Sequence, residues 1–189
     1  MTNSLAQEIM DIAIDRGALA FGEFKLSAGG TSSYYFDGRI LSLDPEGSYA
    51  VAKALLPIIR ESGAQALAGP TLGADPIVSA VSVVSHLEGH PVPGLIVRKE
   101  TKGHGGQRAI EGPTSGLGKG SPVAVVDDTC TTGSSLFHAI DAVEAAGYKV
   151  VKVLSILDRN EGGSAEVRRR GYSYEALLSA DAEGKITPR

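Results

Sequence analysis

The chain has one cysteine, Cys130, no tryptophan, and an aromatic content of only 5%. A lone cysteine excludes an internal disulfide framework and fits a reducing compartment, so a cytoplasmic protein is expected. No apolar run nears the roughly 18 residues that would span a membrane as a helix. Met1-Thr2-Asn3-Ser4 has neither a basic stretch nor an apolar one, so no secretory signal is expected. A basic excess is missing too, and the formal net charge of −4 argues against nucleic acid as a general partner. The 189 residues are 42% hydrophobic and 21% charged, which suits one soluble domain with a full core.

Periodicity organises the rest. Ser4 to Ile14 has apolar residues at helical spacing, with Gly17 as the stop. Phe24 to Leu41 reads as two short strands around Ala28-Gly29-Gly30-Thr31. Asp44-Pro45-Glu46 starts a helix toward Gly63, which Pro57 should kink. From Ala66 onward strands and helices alternate. Strands are predicted at 66–69, 92–97, 123–126, 150–157 and 174–178, and helices at 74–87, 134–146 and 161–170. Continuous apolar strands in such an alternation predict an α/β fold with a mostly parallel central sheet and helices on both faces. Ligands of such sheets bind at the carboxyl ends of the strands.

Four segments sit at those ends. Val123 to Val126 runs into Asp127 and Asp128, then into Thr129-Cys130-Thr131-Thr132-Gly133-Ser134-Ser135 and a helix. Hydroxyls and backbone N–H groups at a helix start cradle a phosphate, and the acids suit ribose hydroxyls or a magnesium ion. The segment reads as a site for a phosphorylated sugar. Gly69 to Pro76 is a glycine-bearing turn whose backbone can approach a pyrophosphate, although a purely structural role is the simpler account. Arg98 to Arg108 is basic, glycine-rich and nearly devoid of apolar residues, the composition of a mobile cationic lid over an anion. Arg159, after the strand at 150–157, can fork onto a planar carboxylate or imide, or equally can pair with Asp158 or Glu161.

Other features fall away. Gly116 to Ser121 precedes a strand, whereas a Walker turn follows one. Cys130 has no indicated base, which favours packing over nucleophilic catalysis. His86, His90 and His138 lack the company of zinc ligands.

The strand, Asp-Asp and Thr/Gly/Ser turn together resemble the signature of the type I phosphoribosyltransferases. Arg98-Lys99-x-x-Lys102-x-His104-Gly105, with Ile110-Glu111-Gly112 after it, resembles the catalytic loop of the orotate phosphoribosyltransferase family. Phe24-x-Leu26-x-x-Gly29-x-x-Ser32-x-Tyr34-Tyr35-Phe36-Asp37 resembles its N-terminal segment, and Leu157-Asp158-Arg159 its orotate-side arginine motif. The resemblance spans roughly residues 4 to 180, with the motifs in order.

The resemblance implies a type I phosphoribosyltransferase-like fold in one domain, 1–189. Residues 1–43 would contribute a small N-terminal hood and 98–112 a mobile catalytic loop. It implies transfer of a phosphoribosyl group from phosphoribosyl pyrophosphate to orotate, with Mg2+ held mainly by the substrate. Lys102, His104 and Asp128 would be catalytic, with Lys102 or His104 protonating the departing pyrophosphate. Arg98 and Lys99 would contact the pyrophosphate and Asp127 the ribose. Thr131, Thr132, Gly133, Ser134 and Ser135 would bind the 5′-phosphate, with Thr129 and Cys130 in the same substrate-binding stretch. Arg159 and Thr131 would meet orotate, with Tyr35 and Phe36 beside its ring. A loop shared with the neighbouring subunit implies a homodimer. Many relatives carry lysine where this chain has Ser27, and Lys25 has the opposite parity on a strand. The rival readings are transfer to another base, such as a purine, and a non-catalytic regulator that binds RNA or DNA. The acidic balance and the retained loop cations disfavour the second.

Overall fold

The computed structural model describes residues 2–25, 30–99 and 109–189, with side chains from Leu5 onward. The helix α1 (Thr2–Asp15) is followed by a two-stranded antiparallel sheet, β1 (Leu19–Lys25) and β2 (Thr31–Phe36). The strand expected to begin at Phe24 therefore begins five residues earlier. The stretch after Phe36 is not strand but a short helix, α2 (Gly38–Ser42). The cause is local, because the Asp37 carboxylate accepts the Arg39 N–H at 3.0 Å and caps the turn.

Next comes α3 (Pro45–Glu61), capped by the Asp44 carboxylate on the N–H groups of Glu46 and Gly47. It continues as one helix through Pro57. The main run is β3 (Ala66–Pro70), α4 (Asp75–Leu87), β4 (Gly94–Val97), β5 (Ile110–Glu111), β6 (Pro122–Cys130), α5 (Ser134–Ala145), β7 (Lys149–Asp158), α6 (Gly163–Arg169), β8 (Tyr174–Ala180) and β9 (Ile186–Pro188). The seven strands lie in the order β5-β4-β3-β6-β7-β8-β9. The central five are parallel, and β5 and β9 close the edges antiparallel.

Strand parity splits the core in two. Leu67, Ala124, Val126, Leu154 and Ile156 face α1, α3 and α4 on one side. Ala66, Ala68, Val123, Val125 and Val153 face α5 and α6 on the other. The sheet is thus covered on both faces, and the free space for a ligand lies past the carboxyl ends of β3, β6 and β7. Strand β6 also runs four residues beyond the apolar stretch that announced it. Its ladder with β7 continues through Asp127↔Ser155, Thr129↔Leu157 and Cys130↔Asp158. The two acids therefore sit within a strand rather than after it.

Candidate active site

On a strand, neighbouring side chains point to opposite faces, and Asp127 and Asp128 use both. The Asp127 carboxylate turns toward α5, accepting the Ser135 hydroxyl on one oxygen and the Asp128 N–H at 2.9 Å on the other. Asp128 turns the other way and fills the space between Gly38 and Gly73. A Cβ on Gly38 would fall 2.6 Å from that of Asp128, and one on Gly73 3.0 Å from its carboxylate. Burial pushes both carboxyls above the usual range. The charge of Asp128 adds to the shift at Asp127, and the Thr129 N–H opposes it at Asp128. Among the described residues neither acid belongs to an ion pair.

Both acids line one cavity of about 380 Å³, together with Thr129, Ser135, Lys99, Tyr35 and Phe36. Asp37 to Arg39 and Pro70 to Gly73 complete its wall. The turn after β3, expected to be structural, therefore borders the same space. Arg39 reaches this wall paired with Asp37 at 3.0 Å, and the guanidinium holds that carboxyl below the usual range. Gly38 and Arg39 escaped the sequence reading, and Gly73 entered it only as part of a turn, since their importance rests on contact with a residue far along the chain.

The turn read as a phosphate site leads into the start of α5. Gly133 takes a left-handed φ of 81° there, and among the described residues no side chain caps the helix. The first backbone N–H groups of α5 thus have no capping partner, with the positive end of its dipole behind them. The Thr132 and Ser134 hydroxyls stand 2.9 Å apart at its lip. The turn is held from below by α6, where Gly163 donates its N–H to the Thr131 carbonyl at 2.9 Å. A Cβ on Gly163 would lie 2.6 Å from both the Gly133 nitrogen and that carbonyl. Gly163→Ala is expected to displace the turn and raise the KM for a phosphorylated sugar at least about tenfold, the cost of a small misplacement in a positioned site. An unchanged KM in steady-state assays would show that the turn does not hold the phosphate.

The stem of the basic segment is fixed from two sides. Arg98 donates its N–H to Ala109 at 3.0 Å, and its carbonyl lies 2.8 Å from His138 Nε2. The Arg98 guanidinium pairs with Glu111 on β5, while Lys99 reaches the cavity. His138 thus fastens the stem. Lys102 and His104 lie outside the described residues, as does Ser27. Cys130 is fully buried in the core beneath α5, where burial pushes its thiol up to about 11. Its contribution to the site is its carbonyl, which accepts the Arg159 N–H at 2.9 Å.

Arg159 forms no ion pair with Asp158 or Glu161. Its guanidinium lies 5.1 Å from the centre of the Tyr34 ring. The two residues line a second cavity of about 340 Å³ between β2 and the turn at 181–184. Tyr34 and Phe36 are buried, whereas Tyr35 is exposed and packs on Phe24 at 5.8 Å. Strand parity therefore puts Tyr34, which the sequence reading passed over, opposite the arginine.

This architecture has known counterparts. The phosphoribosyl transferase domain family matches residues 45–174, and the chain belongs to that family. Two acids and a hydroxyl-bearing helix start meet at one end of its sheet. Relatives within the family include orotate phosphoribosyltransferases. That of Nostoc sp. (strain PCC 7120) is 45% identical over 94% of this chain and 84% of its own. Among solved structures, a phosphoribosyltransferase from Corynebacterium diphtheriae is 32% identical, with a TM-score of 0.78 over 96% of this chain and 99% of that one. The Mycobacterium tuberculosis orotate phosphoribosyltransferase, solved with 5-phospho-α-D-ribosyl 1-diphosphate, has a TM-score of 0.69 at 26% identity over 94% of this chain and 88% of that one.

Proposed function

We infer that this chain transfers the 5-phosphoribosyl group of phosphoribosyl pyrophosphate to orotate, giving orotidine 5′-monophosphate and pyrophosphate in pyrimidine biosynthesis. The observation that carries the reading is the single cavity joining Asp127, Asp128, Ser135 and Lys99 beside the open N-terminus of α5. An acidic wall for the ribose, an anion seat for the 5′-phosphate and a cation over the diphosphate are the three parts this substrate needs.

In the reaction a ring nitrogen of orotate bonds to the anomeric carbon, and the carbon–oxygen bond to pyrophosphate breaks, its electron pair leaving with the diphosphate. Orotate is anionic through its carboxylate, and the proton on the reacting ring nitrogen leaves as the new bond forms, passing to the departing pyrophosphate or to solvent. Lys99, with Arg98 and Lys102, offsets the charge gathering on the leaving group, and Lys102 or His104 supplies its proton. Asp127 and Asp128 hold the ribose hydroxyls and face the positive charge growing on the ring. A buried and a partly buried carboxylate, neither in an ion pair among the described residues, also fit Mg2+. Among the described residues no cluster of three or more His, Cys, Asp or Glu forms a cage for it, so the substrate would supply most of its ligands. When bound, the ion would neutralise the diphosphate.

A homodimer follows from the loop motif and from an exposed apolar face next to the site. Leu43, Tyr49, Leu72 and Val83 stand open there around a groove of about 610 Å³. Ser42 Oγ and Asp75 Oδ1 are buried beside that groove without a hydrogen-bond partner among the described residues. Apolar patches of this kind favour a protein partner, and a second copy would cover this one. Residues 1–43 then serve as a hood and 98–112 as a lid. No helix among the described residues is long and apolar enough to cross a membrane, and the buried single thiol agrees with the cytoplasm.

One assay tests the reaction. Orotate absorbance should fall only when phosphoribosyl pyrophosphate and Mg2+ are both present. Turnover with a purine base and none with orotate would overturn the assignment.

A further inference from the structure

Arg159 belongs to no ion pair among the described residues, so its direction is set by the Tyr34 ring it rests against and by the shape of the backbone beneath it. That shape is set by the next residue. Asn160 is the one non-glycine residue with positive φ among the described residues, at 54°. A left-handed residue here reverses the chain just after β7, and asparagine tolerates the conformation better than most. Three contacts fasten it. Its N–H donates to Asp158 Oδ1 at 2.9 Å, and its side-chain amide donates to Ser179 Oγ at 3.1 Å and to the Ala180 carbonyl at the end of β8. Ser179 and Asp158 are both buried, and the Arg189 guanidinium donates to the same Ser179 hydroxyl at 2.7 Å.

The same strand end leads into the turn at 181–184, which closes the cavity that Arg159 and Tyr34 line. There the Glu183 carbonyl accepts the Ser33 hydroxyl at 3.1 Å, and a Cβ on Gly184 would fall within 1.9 Å of that oxygen. Strand β2, carrying Tyr34, is thus seated on the turn that follows β8, while Asn160 ties the Arg159 backbone to β8 itself. On the other flank the Arg159 N–H is bonded to Cys130 at the end of β6. Arginine and tyrosine are in this way referred to one common element.

We propose that Asn160 is a positioning residue for base recognition: its amide, clamped to Ser179 and Ala180, aims Arg159 across the cavity toward Tyr34 and so sets the affinity for orotate. The inference rests on the assignment of Arg159 to the orotate side. Asn160 itself touches neither the sugar site nor the phosphate turn, so its loss acts on one substrate only.

Asn160→Gly is the informative change, because glycine adopts the same φ without strain while both donors vanish. It is expected to raise the orotate KM at least tenfold, with kcat and the KM for phosphoribosyl pyrophosphate within about twofold and the melting temperature nearly unchanged. Arg159→Ala gives the reference. In the double variant Asn160→Gly/Arg159→Ala the orotate KM should be no higher than in Arg159→Ala alone, since residues acting through one another are not additive. If Arg159→Ala raises the orotate KM but Asn160→Gly leaves it unchanged, or if the two effects multiply, the inference falls and the orotate assignment stands. If Arg159→Ala itself leaves the orotate KM unchanged, the assignment falls and the inference with it. Loss of kcat and of thermal stability together in Asn160→Gly would reduce Asn160 to a structural turn residue and also overturn the proposal.

Discussion

Asp128→Asn is expected to lower kcat by about 10²–10³ while making the substrate-free protein more resistant to heat, the magnitude being that of one lost preorganised charge-stabilising group. The two effects share a cause. Asp127 is buried and Asp128 partly buried on opposite faces of β6, neither belongs to an ion pair among the described residues, and burial pushes both carboxyls up. That charge is costly to the empty fold and useful only when the sugar and its metal arrive.

The pH dependence follows from the direction of the shift. A carboxyl raised in the folded state holds its proton at pH values where the unfolded chain, near ~3.9 for aspartate, has released it. Its stabilisation is full below the unfolded value and is lost as pH rises through the folded value. An amide suffers no such loss, so the melting-temperature advantage of Asp128→Asn should be largest above that window and shrink on acidification. Substrate binding runs the opposite way because it needs the ionised acids. The KM for phosphoribosyl pyrophosphate should therefore rise in mild acid, at a higher pH than an ordinary carboxylate would give. Calorimetry across pH and steady-state kinetics check both arms. A variant that melts lower at every pH would show that the acids stabilise the empty fold instead.

Lys102→Ala should lose turnover by about 10²–10³ with little change in the KM for orotate, because the cation acts on charge that appears only as pyrophosphate departs. Comparable loss of orotate affinity with kcat preserved would place Lys102 in ground-state binding instead. The same variant tests the shared loop. Mixed with Asp128→Asn subunits it should regain activity, since a loop with Lys102 from one subunit would close over the intact acids of the other. No activity on mixing would confine each site to one chain.

The reading of these segments before folding succeeded where the signal was local. The apolar run of β6, the turn residues at 131–135, the Asp44-Pro45 helix start and the parallel alternation all depend on neighbours within a few positions. It failed where pairing partners lie far apart. The short edges β5 and β9 have too few residues to announce themselves, and they exist because β4 and β8 offer open ladders. Strand β6 outran its apolar stretch because β7 continues to pair with it past Val126, whatever the intrinsic preference of aspartate. Tyr34 was passed over in favour of Tyr35 and Phe36 because side-chain direction on β2 depends on where that strand registers against β1.

Residue type and order were enough to specify a doubly covered parallel sheet, a hydroxyl-bearing turn behind two acids, and a basic, glycine-rich segment, since each is written in contiguous chemistry. Tertiary folding alone put Gly38 and Gly73 around Asp128, Gly163 beneath the phosphate turn, and Arg159 over Tyr34. The reason is steric. A side chain's environment in a close-packed interior is made mostly of atoms from distant positions, and no local pattern encodes which of them will arrive.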